Sequence, residues 1–344
     1  SPNLKILETL GKKIAPKISI GVLGSGSWAT ALVKILTDSK MHVNWYVREP
    51  EQAQKIKATS KNPNYLTTVK FRPKRITVSS NINEVVSRSE WLVLAIPSAY
   101  LGNELKLLTQ PIKNKIIVSG VKGILPESQL ITGEHLHQHY DLPWDNFIVI
   151  GGPSHAEEIA LERLSYLTLA SKNETNALLL KSMTNTKYLQ VKVSQDVLGI
   201  EYAATLKNIY ALAAGIAHGL NYGDNFQSVL LSNSIREMNR FVKKVSNSKR
   251  NINQSAYLGD LLVTAYSLFS RNRRFGSMIG RGYTVKGAQM EMNMVAEGYH
   301  ATVPVYKLNK SIGNNSPIID TVYGILFLNK SPKKSFQKLS KKLT

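Results

Sequence analysis

Apolar residues recur along this chain with two different spacings, and the change between them divides the sequence. From Ile18 onward, short β-branched apolar runs alternate with segments of helical periodicity. The apolar runs predict eight strands, at 18–23, 43–47, 76–79, 91–96, 116–119, 147–150, 166–170 and 188–193. The segments between them predict helices at 28–39, 51–58, 82–87 and 100–108. Strands separated by helices predict a parallel sheet that is covered on both faces.

The first strand ends in a glycine-rich turn, Gly24-x-Gly26-x-x-Ala29, which opens a helix. Gly24 permits the tight turn, Gly26 lets the backbone approach a pyrophosphate, and the small Ala29 lets the helix pack closely on the strand. The N–H groups and the dipole at the start of that helix favour phosphates. Because a strand precedes the motif and a second strand follows at the expected spacing, this stretch predicts a dinucleotide-binding site.

Beyond Ser194 the strand-like runs disappear, and helical periodicity marks the segments 199–219, 225–245, 259–270 and 284–296. The chain therefore predicts an α/β fold, with an N-terminal Rossmann-type dinucleotide-binding sheet over 18–195 and an all-helical C-terminal substrate domain over 196–330. Residues 1–17 form a leader, for which one turn of helix and a frayed end both stay open. Residues 331–344 are expected to be a solvated basic tail.

Composition agrees with a globular protein, since 43% of the residues are apolar and 19% are charged. No apolar run approaches the ~20 residues that a membrane-spanning helix needs. Residues 1–16 lack the apolar segment and the cleavage site of a secretory signal. Cysteine is absent, which rules out disulfides and thiolate metal sites and fits a cytoplasmic location.

The chain is strongly basic, with 44 Lys and Arg against 23 Asp and Glu and a formal net charge of +21. Binding of nucleic acid, attraction of small phosphorylated substrates and a generally basic proteome could each produce this balance. The excess charge is dispersed, and neither an aromatic-basic platform nor a recognition helix is evident. We therefore expect no specific nucleic-acid partner.

The residues that follow the strands are candidates for cofactor contacts, because such sheets bind ligands beyond their carboxyl ends. Arg48 follows the second strand and could pair with the 2′-phosphate of NADP, whereas the neighbouring Glu49 keeps NAD open. Lys122 follows the fifth strand and is either a cation aimed at the ligand crevice or a surface residue. The turn at 151–157 is rich in glycine and opens a helix, which makes it another candidate anion site.

The helical half contains two polar stretches that could carry chemistry. Lys207 lies in an apolar helix, where it is either desolvated with a lowered pKa or extended to the surface. Arg271 could grip a phosphate with its fork of donors, and Asn272 could add a neutral donor. The run His135-x-His137-x-His139 suggests a metal site, but no carboxylate pattern accompanies it, and we favour solvated histidines and no metal.

Several motifs occur together in one order, and the set resembles the bacterial NAD(P)-dependent glycerol-3-phosphate dehydrogenases from about Ile18 to Pro317. The motifs are Gly24-x-Gly26-Ser27-Trp28-Ala29-Thr30-Ala31, Val121-Lys122-Gly123, Gly152-Pro-Ser-x-Ala156-x-Glu158, Leu206-Lys207-Asn208, Leu258-Gly-Asp260-Leu, Ser270-Arg-Asn-Arg-Arg-Phe-Gly276 and Ala296-Glu297-Gly298. The resemblance implies reversible NAD(P)H-dependent reduction of dihydroxyacetone phosphate to sn-glycerol 3-phosphate, the precursor of the phospholipid backbone. A cytoplasmic enzyme is expected, and a homodimer is left open.

The resemblance also assigns roles to individual positions. Lys207 matches the general acid/base of the family and also contacts substrate. The other substrate positions are Lys122, Gly152, Ser154, Asp260, Ser270, Arg271 and Asn272. The cofactor positions are Gly24, Gly26, Ser27, Trp28, Arg48, Lys122, Ala156, Arg271 and Glu297.

Three positions depart from the family pattern: Ala29 replaces a usual glycine, Ser154 a usual threonine and His155 a usual aromatic residue. Ala29 keeps the close approach of the helix and Ser154 keeps a hydroxyl, whereas the effect of His155 is open. Three other functions compete with the dehydrogenase. They are a related enzyme that acts on another oxo or hydroxy acid, a dinucleotide-responsive binding protein, and a polyanion-binding protein suggested by the net charge of +21.

Overall fold

The computed structural model describes residues 2–292 and 296–344. Its strands are β1 (Ile20–Leu23), β2 (Val43–Tyr46), β3 (Ile76–Ser79), β4 (Trp91–Leu94), β5 (Ile116–Ser119), β6 (Ile124–Leu125), β7 (Leu130–Ile131), β8 (Phe147–Gly151), β9 (Ser165–Ser171) and β10 (Leu189–Ser194).

Helices occupy most of the remaining chain. They are α1 (Pro2–Ile14), α2 (Ser27–Asp38), α3 (Pro50–Thr59), α4 (Ile82–Ser87), α5 (Ser98–Leu105), α6 (Thr132–His139), α7 (Ala156–Ala160), α8 (Glu174–Met183), α9 (Val197–Gly219), α10 (Asp224–Val245), α11 (Asp260–Tyr266), α12 (Arg271–Gly280), α13 (Val285–Glu291), α14 (Glu297–Ser311), α15 (Pro317–Phe327) and α16 (Pro332–Ser340). The described helices include none that is both long and apolar enough to cross a membrane.

The chain divides into two compact units. The sheet unit runs up to Val121 and resumes over Thr132–Val197, and the helical unit comprises Lys122–Ile131 and the chain from Leu198 onward. The sequence predicts an unbroken sheet domain over 18–195, and the segment Lys122–Ile131 departs from that range. Its strands β6 and β7 pair as a short antiparallel hairpin, so the second unit is mostly rather than entirely helical.

One sheet of eight strands, in the order β10-β9-β8-β5-β4-β1-β2-β3, forms the core of the sheet unit. Strand β1 lies between β2 and β4, and all four of its residues are buried, as expected for a central parallel strand with helices on both faces. The strand order reverses direction at β1, which places a ligand crevice beyond its carboxyl end. The predicted parallel sheet is confirmed except where β8 pairs antiparallel with β9.

Helix α9 forms the centre of the helical unit, and every residue from 201 to 217 is buried. Two glycines of α9, Gly215 and Gly219, face Gly276 and Gly280 of α12. A Cβ added at Gly215 would contact the Arg273 carbonyl oxygen, and one added at Gly276 would contact the Leu212 carbonyl oxygen. The two helix backbones therefore touch, which fixes the start of α12 against the middle of α9.

Both ends of the chain are more ordered than the sequence predicts. The leader forms the thirteen-residue helix α1, which packs on α8, where Lys181 pairs with Glu8 at 3.1 Å. The expectation of a solvated tail is wrong, because α16 buries Phe336 and Leu339 and packs on α15. The lysines in and around α16 mask this apolar spacing, since six of the thirteen residues from Lys330 to Lys342 are lysine.

The predicted C-terminal helices differ in detail from those of the structure. The single helix predicted at 259–270 ends at Tyr266, and α12 begins after a break. The helix predicted at 284–296 ends at Glu291, and its positions 293–295 lie outside the described residues. Helices α14 and α15 have no counterpart in the sequence prediction.

Candidate active site

The turn after β1 requires glycine at its first position. Gly24 has φ +131°, and a Cβ there would contact the Ala95 carbonyl oxygen after β4. Its own carbonyl oxygen accepts a hydrogen bond of 2.7 Å from the indole Nε1 of the buried Trp45. These contacts hold the chain in a sharp turn, which places the N-terminus of α2 at the carboxyl end of the sheet.

Gly26 is the N-cap residue of α2, and unlike Gly24 it faces open space. A Cβ at Gly26 would have no atom within 4 Å, and Gly26 offers no side chain to cap α2. Open space at a helix N-terminus is the cradle that a pyrophosphate needs. The buried Ala29 packs on the inner side of α2, and Trp28 is fixed by a 3.0 Å hydrogen bond from its Nε1 to the Gly120 carbonyl oxygen. These residues therefore fit a dinucleotide.

Arg48 follows β2 and is exposed, with 64% of its side chain accessible. Its guanidinium pairs with Glu49 at 2.9 Å and lies 3.9 Å from Glu104. The Glu104 carboxylate also accepts a hydrogen bond of 2.7 Å from the Tyr46 hydroxyl. Arg48 is thus an accessible cation whose charge is partly balanced by two carboxylates.

The turn after β8 holds the predicted positions Gly152, Ser154 and Ala156. Gly152 has φ +101°, and a Cβ there would lie 2.5 Å from the Tyr166 carbonyl oxygen. The Ser154 hydroxyl donates to the Gly152 carbonyl oxygen at 3.0 Å, and the buried Ala156 starts α7. His155 is the N-cap residue of α7, is half-buried and gives that helix no side-chain cap.

Lys207 and Asp260 form a buried ion pair within the helical unit. Lys207 Nζ lies 2.6 Å from Asp260 Oδ1, and the two residues are only 4% and 1% exposed. Burial lowers the pKa of Lys207 to about 7, because desolvation and the nearby Lys122 cation outweigh the attraction of Asp260. A lysine with this pKa can both give and accept a proton near neutral pH.

The second carboxylate oxygen of Asp260 is not used by the ion pair with Lys207. Asp260 Oδ2 is buried and has no hydrogen-bond partner within the described part of the chain. An unsatisfied buried carboxylate oxygen is costly, so such an atom is typically matched by a water or a ligand hydroxyl. A π-type turn over Ser255–Gly259 leads into α11, and turns of this kind recur at functional sites.

A chain of amides connects α14, α12 and α9 to Lys122. The Gly298 N–H donates to Asn272 Oδ1 at 2.8 Å, Asn272 Nδ2 donates to Asn208 Oδ1 at 3.1 Å, and Asn208 Nδ2 donates to the Lys122 carbonyl oxygen at 2.7 Å. Gly298 allows this contact, since a Cβ there would lie 2.5 Å from the Asn208 carbonyl oxygen. The sequence assigns no role to Asn208 or Gly298, although both stand beside assigned residues in the motifs that carry the family resemblance.

Ser270 and Arg271 lie where α12 begins. The buried Ser270 hydroxyl oxygen accepts a hydrogen bond of 3.2 Å from the Arg273 N–H and caps the helix. Arg271, the first residue of α12, is half-buried. Ser270 therefore has a structural role in addition to the substrate contact that the sequence predicts.

The structure thus distributes the predicted residues over both units. In the helical unit it joins Lys122, Lys207, Asp260 and Asn272 through one ion pair and one amide chain. Glu297 opens α14 in the same unit, next to Gly298. The glycine turns, Ser27, Trp28 and Arg48 belong to the sheet unit.

The histidine run does not behave as three solvated side chains. His135 is buried, with its ring centroid 4.9 Å from that of His139, and only His137 and His139 are exposed. His137 Nδ1 lies 2.9 Å from the Leu142 carbonyl oxygen. The solvated interpretation is therefore wrong for His135. Among the described residues, no three potential ligand side chains are grouped to hold a metal ion.

Comparison with known proteins identifies relatives over nearly the whole chain. Residues 19–177 match the family described as the N-terminus of NAD-dependent glycerol-3-phosphate dehydrogenase, and residues 196–337 match its C-terminus. A Clostridium botulinum glycerol-3-phosphate dehydrogenase [NAD(P)+] is 33% identical over 93% of this chain and 96% of the relative. The enzyme of that name from Chlorobium limicola is 34% identical over 90% and 94%.

Solved structures show the same similarity. The crystal structure of glycerol-3-phosphate dehydrogenase from Coxiella burnetii superposes with a TM-score of 0.86 at 28% identity, covering 94% of this chain and 98% of the other. The similarity therefore extends through both units rather than through the dinucleotide-binding sheet alone.

Proposed function

The chain belongs to the NAD-dependent glycerol-3-phosphate dehydrogenase family. On that basis we propose a role in the reaction for each of its candidate site residues. The reaction is the NAD(P)H-dependent, reversible reduction of dihydroxyacetone phosphate to sn-glycerol 3-phosphate, which supplies the phospholipid backbone. The observation that carries the proposal is the buried contact of 2.6 Å between Lys207 and Asp260.

Lys207 is the general acid of the reduction. When bound, the cofactor supplies the hydride that reduces the ketone carbon. The Lys207 ammonium stabilises the negative charge that develops on the carbonyl oxygen and then gives it a proton. In the reverse reaction the neutral amine accepts the hydroxyl proton, and a pKa near 7 makes both forms available.

Asp260 and Lys122 set the orientation and the pKa of Lys207. Asp260 Oδ1 orients the Lys207 ammonium, and the unpartnered Oδ2 accepts a hydrogen bond from a substrate hydroxyl. Lys122 adds positive charge, which lowers the pKa of Lys207 and favours proton release to the nascent alkoxide. The amide chain from Gly298 through Asn272 and Asn208 holds the backbone of Lys122 in place.

The phosphate group of the substrate is bound away from the reacting carbon. We assign it to the Arg271 fork and to the Asn272 amide N–H that does not donate to Asn208. Ser270, Gly152 and Ser154 stay predicted substrate positions. Binding energy from this nonreacting group orients the carbonyl toward Lys207.

Four of the residues assigned to the cofactor lie together in the sequence. Gly24, Gly26, Ser27 and Trp28 form the phosphate turn at the start of α2. The others are Arg48, Lys122, Ala156, Arg271 and Glu297. Two further expectations, a cytoplasmic location and a homodimer, stay predictions.

The role of Arg271 is tested by a steady-state assay with dihydroxyacetone phosphate and with nonphosphorylated dihydroxyacetone. We expect Arg271→Ala to raise KM for dihydroxyacetone phosphate by roughly 10- to 100-fold, since a hydrogen-bonded charge pair is worth about 1.5–3 kcal/mol. Turnover of dihydroxyacetone should be slow and insensitive to the substitution. Arg274→Ala removes an exposed arginine on the same helix and serves as the control; an equal effect of both variants would exclude a specific phosphate contact.

Arg48 sets the preference between the two cofactors in our assignment. We expect Arg48→Ala to lower kcat/KM for NADPH about tenfold, because a charge-assisted contact to the 2′-phosphate is lost. The value for NADH should change less than about twofold, since NADH lacks that phosphate. Arg72→Ala, which removes another exposed arginine of the sheet unit, is the matched control. Equal losses with NADPH and NADH would refute the assignment.

A further inference from the structure

An open cavity of about 360 Å³ lies along the side of α12 that carries Arg274 and Arg281, next to the C-terminal end of α9. Its wall is formed by Arg273, Arg274 and Arg281 together with His218, Leu268 and Tyr283. Small-molecule sites in proteins typically measure about 300–1,000 Å³, so the cavity has the size of a compact ligand. All of its lining residues belong to the helical unit.

Positive charge dominates this cavity. Three arginines line it, against the single carboxylate of Glu291. The guanidinium groups of Arg274 and Arg281 make no hydrogen bond or ion pair within residues 2–292 and 296–344. Arginines that crowd a concave wall without partners attract anions, and their planar forks match phosphate oxygens.

Apolar surface adjoins the arginines. Leu268 is 91% exposed and Tyr283 is 47% exposed, and both line the cavity. An exposed leucine and an exposed aromatic ring beside unpaired cations suit a ligand that carries both a phosphate and an apolar group. Free phosphate alone would leave this apolar surface in water.

The cavity borders the predicted substrate site but does not contain its reacting groups. Ser270 is the one assigned substrate residue in its wall, and Lys122, Lys207, Asp260, Arg271 and Asn272 are absent from it. His218 lies eleven residues after Lys207 on α9, which separates their backbones by roughly 16 Å at 1.5 Å per residue. Arg274 and Arg281 lie on the open side of α12, whereas Asn272 and Gly276 lie on its buried side.

We propose that this cavity is a binding site for a soluble phosphorylated molecule that carries an apolar group. The arginines bind the phosphate, and Leu268 and Tyr283 cover the apolar part. A ligand held here contacts the outer face of the helix whose inner face holds Asn272 in the amide chain, so binding acts on the helix that supports the substrate site.

The test is calorimetric titration with n-octyl phosphate below its micelle concentration, with inorganic phosphate and n-octanol as the separate halves of the probe. NADP⁺ and dihydroxyacetone phosphate, a pair that cannot react, saturate the catalytic site throughout. We expect n-octyl phosphate to bind with one site per chain and more tightly than either half. The double variant Arg274→Ala/Arg281→Ala should weaken binding at least tenfold, while kcat and KM for dihydroxyacetone phosphate stay within twofold.

The control variant Arg72→Ala/Arg163→Ala removes the same charge from two exposed arginines of the sheet unit, and it should bind the probe like the unaltered enzyme. Leu268→Ser should weaken binding of n-octyl phosphate but not of inorganic phosphate. An equal loss in both double variants, or no loss in either, overturns the proposal. So does binding only to phosphatidate-containing vesicles, with no binding of the soluble probe.

Discussion

Lys207→Ala is expected to lower kcat for reduction of dihydroxyacetone phosphate by about 10³-fold, with NADPH affinity preserved. General acid–base groups contribute about 10²–10⁴-fold, and this one also stabilises the developing alkoxide. The cofactor residues of the sheet unit are not altered by the substitution. Single-turnover kinetics with NADPH, together with a fluorescence titration of NADPH, measure the two quantities separately.

Lys207→Arg is the informative control, because arginine retains the positive charge next to Asp260 but does not release a proton near neutral pH. It should remain folded and be nearly as slow as the alanine variant. Either variant retaining near-normal turnover would contradict the assigned role. Lys207→Ala leaves Asp260 buried without its partner, so its thermal unfolding should be measured beside the kinetics.

The pH dependence provides a check on the same residue without a substitution. Reduction needs the protonated ammonium, so kcat for reduction should fall as the pH rises through about 7. Oxidation of sn-glycerol 3-phosphate needs the neutral amine, and its rate should rise over the same interval. If the pH dependence of reduction and that of oxidation have opposite signs, and both are lost in Lys207→Arg, then both are due to titration of Lys207.

Gly276→Ala is expected to destabilise the helical unit by about 2–3 kcal/mol, the cost of overpacking a tight contact. Helix propensity alone predicts the opposite sign, a gain of about 1 kcal/mol for alanine inside a helix. The added methyl would contact the Leu212 carbonyl oxygen and lie 2.9 Å from the Ile216 backbone nitrogen. Backbone atoms cannot rotate away, so α9 and α12 must separate. Denaturant unfolding followed by circular dichroism measures the change in unfolding free energy.

Gly223→Ala is the matched control, since a Cβ at Gly223 would meet no atom within 4 Å. Gly223 precedes α10 with φ −93°, a conformation that alanine adopts readily. A Gly276→Ala protein as stable as this control would show that α9 and α12 do not pack through their glycines. The same separation should displace Asn272 and raise KM for dihydroxyacetone phosphate.

The sequence predicts the sheet well because its signals are local. A buried parallel strand is a continuous apolar run, and the Gly24 turn needs a backbone angle that glycine adopts readily. The same reasoning fails at the C-terminal end of the chain, where the lysines of α16 conceal two buried residues. It also fails at β6 and β7, whose two-residue strands are too short to give an alternating pattern.

For the candidate site, the sequence supplies the residue types but leaves their states open. Lys207 in an apolar helix is compatible with a desolvated lysine and with one extended to the surface, and only the packing around α9 buries it. Asp260 lies 53 residues further along the chain, so no local pattern predicts that its Oδ1 meets Lys207. Asn272 is separated along the sequence from its partners Asn208 and Gly298 by 64 and 26 residues. The sequence therefore does not predict that these residues support Lys122.

The sequence by itself determined the alternation of strands and helices in the first half of the chain, the phosphate turn and the family, because these depend on residue types at fixed spacing. The tertiary structure alone decided that Lys207 is buried against Asp260 with a pKa near 7, and that α9 and α12 touch through their glycines. It also decided that three arginines surround a cavity on α12. The physical reason is distance along the chain: desolvation, ion pairing and close packing depend on neighbours that only folding brings together.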